Sequence, residues 1–159
     1  MFLLGLSQGS AAICTSVLLW EGEALGGVLG MCGWLPFVDQ MDEASAPMDT
    51  DDENLLDRDA GDEEEESSFE KAVQFLREEL DLPLQTEGTR RAMGGNSTPF
   101  FLVSGESDPK VPPLHSRKAA SLLQKLDIPA DSRIYDVGHW YNEEMLRDMI
   151  EFIQNVSKN

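Results

Sequence analysis

A serine lies between two glycines near the start of the chain, in a pattern that can present a nucleophile. Gly5-Leu6-Ser7-Gln8-Gly9 matches the G-x-S-x-G sequence of a sharp turn between a β-strand and an α-helix. Such a turn lifts the serine hydroxyl above the edge of a sheet, and we expect both glycines to be required because a side chain would collide with nearby backbone. The backbone N–H of Gln8 would stabilise a developing oxyanion.

A serine nucleophile needs a base, and the chain contains two histidines, His115 and His139. His115 begins a polar helical segment and is expected to be a solvated surface residue, whereas His139 follows the last predicted strand. For the orienting acid we favour Asp108, in the loop after another apolar run, over Glu106, a solvated turn residue. The order serine, acid, histidine is that of α/β-hydrolases and differs from the orders of the other two large serine hydrolase folds.

The segments around these residues alternate between short apolar runs and helical patterns, which predicts an α/β fold with a parallel sheet covered on both faces. The apolar segment after the serine has small or apolar residues on nearly every side and is expected to be buried all round. The last helix is expected to turn Met145, Met149, Ile150, Phe152 and Ile153 inward. We predict strands at Met1–Leu4, Val28–Trp34, Pro99–Ser104 and Arg133–Val137, and helices at Gln8–Trp20, from Ser68 towards Pro83, at Leu114–Leu126 and at Asn142–Val156.

The negative charge of the chain is concentrated in one segment. Of the net charge of −18, residues 39–70 contribute −14. Residues 39–67 have few aromatic or β-branched side chains and cannot bury enough apolar surface to offset the cost of ordering. We therefore predict a disordered acidic insertion at 39–67, between residues 1–38, which carry the nucleophile, and residues 68–159, which carry the acid and the histidine.

Composition also excludes several classes of protein. An acidic run repels phosphate backbones, which argues against nucleic-acid binding. Cys14 and Cys32 are too few for a disulfide framework and too far apart for a C-x-x-C metal site, so we expect small buried residues in a reducing compartment. The uncharged first 20 residues lack the basic region of a signal peptide and contain many polar residues for a membrane span. No metal, cofactor or stable membrane insertion is expected.

Four stretches of the sequence occur together in one known family. They are Gly5-Leu6-Ser7-Gln8-Gly9, Leu25 to Gly27 leading to Cys32-Gly33-Trp34-Leu35-Pro36, Asp108-Pro109-Lys110-Val111-Pro112, and Gly138-His139-Trp140-Tyr141. The chain resembles the acyl-protein thioesterase group of the phospholipase/carboxylesterase family, in a fungal style, over nearly everything except the acidic segment.

The resemblance implies a cytoplasmic serine hydrolase that cleaves carboxylic esters or thioesters of acyl groups, including palmitoyl groups on proteins. Ser7 would be the nucleophile, His139 the general base and Asp108 its orienting partner. Substrate-binding residues implied by the same likeness are Trp34, Leu35, Pro36 and Trp140.

The family fold places further strands and an oxyanion loop before the nucleophile strand. By that comparison the chain corresponds to the C-terminal part of an α/β-hydrolase sheet, with about four parallel strands and flanking helices. The alternative is a catalytically impaired remnant whose acidic segment binds basic protein partners.

Overall fold

A computed structural model describes residues 1–46, 66–83 and 94–158. Its centre is a parallel four-stranded sheet in the order β1-β2-β3-β4. The elements are β1 (Phe2–Leu6), α1 (Gln8–Leu18), β2 (Gly27–Met31), α2 (Val38–Ser45), α3 (Ser68–Glu79), a 3₁₀ turn (Gly94–Ser97), β3 (Phe100–Gly105), α4 (Leu114–Lys125), β4 (Ala130–Tyr135) and α5 (Glu143–Val156). The predicted α/β class and parallel sheet are confirmed.

Helices cover both faces of the sheet, because the side chains of the central strands alternate between two hydrophobic clusters. Val28 and Phe100 point into the larger cluster with residues of α1 to α4. Leu29 and Phe101 point into the smaller cluster, which α5 completes, and the ring of Phe101 stacks on that of Phe152 at 5.3 Å between centroids. The central strands are therefore buried on both sides, as their continuous apolar runs predict.

Two helices differ from the predicted burial. Ala12 and Ser16 of α1 are exposed, so this helix is not buried all round. Ile150 of α5 is 56% exposed instead of facing inward, whereas Met145 and Met149 are buried. In both cases the apolar pattern is wider than the face that the sheet can cover.

The predicted acidic insertion is wrong at its first residues. Residues 39–45 belong to α2, which Phe37 precedes in a left-handed conformation with φ 58°. The ion pairs Lys118–Asp39 and Lys125–Asp42, both 2.7 Å long, join α2 to α4. Residues 47–65 of the predicted insertion lie outside the described residues, so its disorder remains a prediction.

Helix α3 begins with a capping box one residue before the predicted cap. The hydroxyl of Ser67 accepts the N–H of Glu70 at 3.2 Å, and the Glu70 carboxylate accepts the N–H of Ser67 at 2.8 Å.

Within the three described ranges, no helix combines the length and the apolar character needed to cross a bilayer.

Candidate active site

Ser7 occupies the turn between β1 and α1, with its backbone in an unusual conformation. Its φ is 55°, a positive value that non-glycine residues rarely adopt, and its N–H donates to the carbonyl of Met31 at 2.8 Å. A Cβ on Gly5 would lie 2.5 Å from the carbonyl carbon of Gly9, so only glycine lets the strand approach the helix this closely. The same requirement predicted for Gly9 is wrong, because a Cβ there meets nothing within 4 Å.

The structure brings Ser7, His139 and Asp108 together in one chain of hydrogen bonds. The Oγ of Ser7 lies 3.0 Å from Nε2 of His139, and Nδ1 of His139 lies 2.7 Å from Oδ2 of Asp108. The Asp108 side chain is fully buried, and that of His139 is 15% exposed. This is the geometry in which a histidine takes a proton from a serine while a carboxylate orients its ring.

The environment of Asp108 keeps it ionised and fixes the histidine tautomer. Burial by itself raises the pKa of this carboxyl, but hydrogen bonds from the Val111 N–H, the His139 ring and the Lys110 N–H outweigh burial and hold the pKa below its usual value. Oδ1 accepts those two backbone N–H groups at 3.0 and 2.8 Å. Because an ionised carboxylate only accepts, Nδ1 of His139 carries the proton and Nε2 faces Ser7 with its lone pair.

Two loops carry the acid and the histidine, and they pack directly on one another. The acid loop, residues 106–112, follows β3, and the histidine loop, residues 136–142, follows β4. The N–H of Ser107 in the acid loop donates to the carbonyl of Val137 at 3.1 Å. A Cβ on Gly105 would overlap the carbonyl oxygens of Gly138 and Val137. No role is predicted for Gly105 from the sequence, although its place directly after an apolar strand is an available signal.

Cys32, like Gly105, lies next to the triad. From the sequence alone it is predicted only to be a small buried residue. It is fully buried, as predicted, but it follows β2 at the sheet edge where the triad forms. Its Sγ lies 3.7 Å from the carbonyl oxygen of Trp140 in the histidine loop. Burial raises the pKa of the Cys32 thiol, and the charge of Asp108 acts in the same direction.

The residues predicted to bind substrate lie in different environments. Leu35 is buried in the larger hydrophobic cluster and Pro36 is half-buried, so their contact with substrate stays a prediction. Trp140 is 58% exposed beside His139, with its ring stacked on Tyr141. Trp34 borders a narrow crevice that has no room for a water molecule. The other lining residues of this crevice are Ser10, Cys14, Gly30, Gly33, Leu102, Ser116 and Ala119.

The predicted oxyanion donor has the expected position. Gln8 is the first residue of α1, where backbone N–H groups have no acceptor within the helix. The positive end of the helix dipole lies at the same point and favours negative charge. An oxyanion formed next to Ser7 would therefore meet an N–H group and a favourable field.

Solved structures with a similar fold are about twice as long as this chain. SOBER1 of Arabidopsis thaliana superposes with a TM-score of 0.61 and 20% identity, covering 98% of this chain and 52% of that one. Acyl-protein thioesterase 2 of Zea mays superposes with a TM-score of 0.60 and 14% identity, covering 96% of this chain and 54% of that one. Esterase PE8 superposes with a TM-score of 0.62 and 18% identity, covering 98% of this chain and 49% of that one. The chain thus spans about half the length of the structures it matches.

Sequence comparison gives a family match as well. The sequence model described as the prolyl oligopeptidase family matches residues 43–159, a stretch that contains Asp108 and His139 and begins after Ser7. No curated protein sequence gives a significant match. The family match and the fold confirm the predicted α/β-hydrolase class, and the fold is similar to that of acyl-protein thioesterase structures. The fungal style stays a prediction.

Proposed function

We propose that this chain, a member of the prolyl oligopeptidase family, is a serine hydrolase of acyl esters and thioesters. The similar fold of acyl-protein thioesterase 2 supports ester and thioester substrates over peptides. The observation that carries the proposal is the continuous hydrogen-bond chain from Ser7 through His139 to Asp108. That arrangement activates a hydroxyl for attack on a carbonyl carbon. Palmitoyl and other long acyl groups on protein cysteines are the substrates we propose within this class.

The reaction would proceed through an acyl-enzyme. The Oγ of Ser7 attacks the carbonyl carbon while Nε2 of His139 takes the hydroxyl proton, and the N–H of Gln8 stabilises the tetrahedral oxyanion. The C–S or C–O bond then breaks, and His139 returns the proton to the leaving thiol or alcohol. Water, deprotonated by the same ring, attacks the acyl-serine. The bond between the acyl carbon and Oγ of Ser7 then breaks, the acid leaves, and His139 returns the proton to Ser7. Asp108 keeps the imidazole in the required tautomer throughout.

The surface around the triad suggests how an acyl substrate would approach. Trp140 and Tyr141 form an exposed stacked pair, with 5.0 Å between ring centroids, directly after His139 in the chain. Aromatic rings of this kind offer apolar contact area with little loss of conformational entropy. We propose that this pair contacts the acyl group or its leaving group. The crevice beside Trp34 would have to open before it could receive an acyl chain.

The test is steady-state hydrolysis by the purified full chain. The rates of hydrolysis are compared for three kinds of substrate. These are acetyl, octanoyl and palmitoyl thioesters, the matching oxygen esters, and a proline-containing peptide amide. We expect thioester and ester hydrolysis, no peptide cleavage, and a loss of about 10⁶-fold in kcat for Ser7→Ala. Equal turnover by Ser7→Ala, or preferential cleavage of the peptide, would contradict the proposal.

A second candidate function rests on the charge distribution. The segment 39–70 carries −14 of the total charge of −18. On this account the chain is a catalytically impaired hydrolase whose acidic segment binds basic proteins. Salt-sensitive capture of a basic protein that is lost on deletion of residues 47–65 would support it. Capture that survives the deletion would count against it.

The setting of the reaction follows from the same proposal. Cys14 and Cys32 are both free and buried, which suits a reducing compartment, and we propose action in the cytoplasm on acylated proteins or small acyl esters. Nucleic acid is not a proposed partner, because the chain is strongly acidic.

A further inference from the structure

Cys32, Asp108 and His139 form a compact cluster of side chains of the kinds that bind metal ions. The sulfur, one carboxylate oxygen and one ring nitrogen all lie within 4.8 Å of one another. Thiolate, imidazole and carboxylate are the ligands that zinc takes in proteins. We propose that this cluster binds Zn²⁺ or a similar thiophilic divalent cation, and that the bound ion switches off Ser7.

The distances require only small movements. Tetrahedral zinc with Zn–S of about 2.3 Å and Zn–N and Zn–O of about 2.0–2.1 Å places its ligand atoms about 3.4–3.6 Å apart. The nitrogen and oxygen of His139 and Asp108, now 2.7 Å apart, would separate by less than about 1 Å. The sulfur lies within 4.8 Å of a ring nitrogen of His139 and a carboxylate oxygen of Asp108, so it would approach these two atoms by at most about 1.4 Å. Side-chain rotation supplies movements of this size, and the fourth position remains for water.

The backbone of Cys32 directs its sulfur towards the triad. Cys32 has φ 45°, and its N–H is held by the carbonyl of Val103 at 2.8 Å. The thiol contacts the Trp140 carbonyl at 3.7 Å, a weak hydrogen bond whose loss costs little. Cys14, by contrast, is buried within the larger hydrophobic cluster, away from these ligands. It is therefore a matched control for the effect of a buried thiol.

Metal binding at this place would disable the base. The thiol proton leaves to solvent as the Zn–S bond forms, and the proton on Nδ1 of His139 moves to Nε2 when Nδ1 binds the ion. A protonated Nε2 has no lone pair to accept the Ser7 proton. The inhibition rests on the proposed function, but the metal binding does not.

Access to the cluster is restricted. Neither the Asp108 side chain nor Cys32 is exposed, and the His139 ring is 15% exposed. The ion must therefore enter past the His139 ring. Inhibition should develop slowly after mixing rather than at once.

Binding is tested without reference to activity by titrating the full chain with Co²⁺. A thiolate ligand gives cobalt a charge-transfer absorption band, and we expect this band in wild type and in Cys14→Ala, with displacement by Zn²⁺. The band should be absent in Cys32→Ser and in Cys32→Ala. No band in wild type, or a band that persists in folded Cys32 variants, would overturn the proposal.

Inhibition is tested by labelling Ser7 with a fluorophosphonate after incubation with Zn²⁺. Relative to each protein's own metal-free rate, we expect labelling of wild type and Cys14→Ala to slow by at least about tenfold, because the wrong tautomer disables the base. A chelator should restore it. Equal slowing of Cys32→Ser would overturn the inhibitory role. Failure to label without metal would instead contradict the proposed function, and the cobalt band would still decide the metal site.

Discussion

The Oγ of Ser7 lies 3.0 Å from Nε2 of His139, although the two residues follow β1 and β4, the first and the last strand in the order of the sheet. Three strand spacings of about 4.8 Å separate the ends of these strands. The histidine loop therefore crosses back over the ends of β3 and β2. Its contacts with Gly105 and with the Cys32 sulfur mark that path. The triad depends on how this loop lies across the sheet edge.

Replacing Gly105 with alanine should displace the histidine loop. The new Cβ would overlap the carbonyl oxygens of Val137 and Gly138, so the loop must shift and the Ser7–His139 hydrogen bond must lengthen. We expect a loss of kcat and a cost of about 1–3 kcal/mol in unfolding free energy. Gly138→Ala is the control, because its Cβ would meet its nearest atom at 4.0 Å. Equal kinetics in the two variants would count against this account of the loop.

The turn at Ser7 gives a second matched pair. Gly5→Ala places a Cβ 2.5 Å from Gly9 backbone atoms and should cost about 1–3 kcal/mol or more, with loss of activity. Gly9→Ala has open space and lies in a helix, where alanine is favoured by up to about 1 kcal/mol. Urea unfolding and ester hydrolysis measure both effects. A larger loss of stability and activity in Gly9→Ala than in Gly5→Ala would show that the turn does not depend on the close approach of Gly5 to the helix.

Asp108→Asn should lower kcat by about 10⁴-fold while leaving the fold intact, because an amide no longer fixes the histidine tautomer. Glu106→Gln, an exposed change in the acid loop, should keep nearly wild-type kinetics. Ester hydrolysis compares the two directly, with circular dichroism as the check on folding. A strong loss in Glu106→Gln with little loss in Asp108→Asn would reassign the acid.

Asp148 should make stability depend on pH. Its carboxylate accepts the Tyr135 hydroxyl at 2.7 Å and the Arg133 guanidinium at 2.8 Å, and these bonds lower its pKa below the usual value of 3.8. A lowered folded pKa stabilises the protein above the unfolded pKa, and this contribution disappears as pH falls through the folded value. The difference in unfolding free energy between wild type and Asp148→Asn should therefore be present at neutral pH and shrink below about pH 4.

Urea unfolding at several pH values checks this expectation. Glu151→Gln changes an exposed carboxylate on the same helix, α5, and serves as the control. A difference for Asp148→Asn that stays constant across the acid range would contradict a contribution from the ionised carboxylate.

The meeting of Ser7, Asp108 and His139 could be predicted from the sequence because parallel strands bring their C-terminal ends to one edge of the sheet. Each triad residue follows a separate apolar run, and such runs stand out when strands are buried on both faces. The first residue of the edge strand β4 is harder to predict. The strand starts at Ala130 with alternating exposed residues, whereas the predicted strand began at Arg133, where the first closely spaced apolar residues follow.

Features that depend on distant parts of the chain were not readable. Helix α2 has an acidic composition typical of disorder, and its ion pairs come from Lys118 and Lys125 of α4, about 80 residues later. The approach of Gly105 to Gly138 and the position of Cys32 beside Asp108 likewise arise only when the loops pack. Local pattern does not encode such contacts.

Covalent labelling of the folded chain with a fluorophosphonate, followed by peptide mass spectrometry, tests the catalytic role of Ser7 most directly. We predict one phosphonyl group on Ser7 of the wild-type chain and none in Ser7→Ala. An unlabelled wild-type protein that is shown to be folded, or equal labelling of Ser7→Ala, would contradict it.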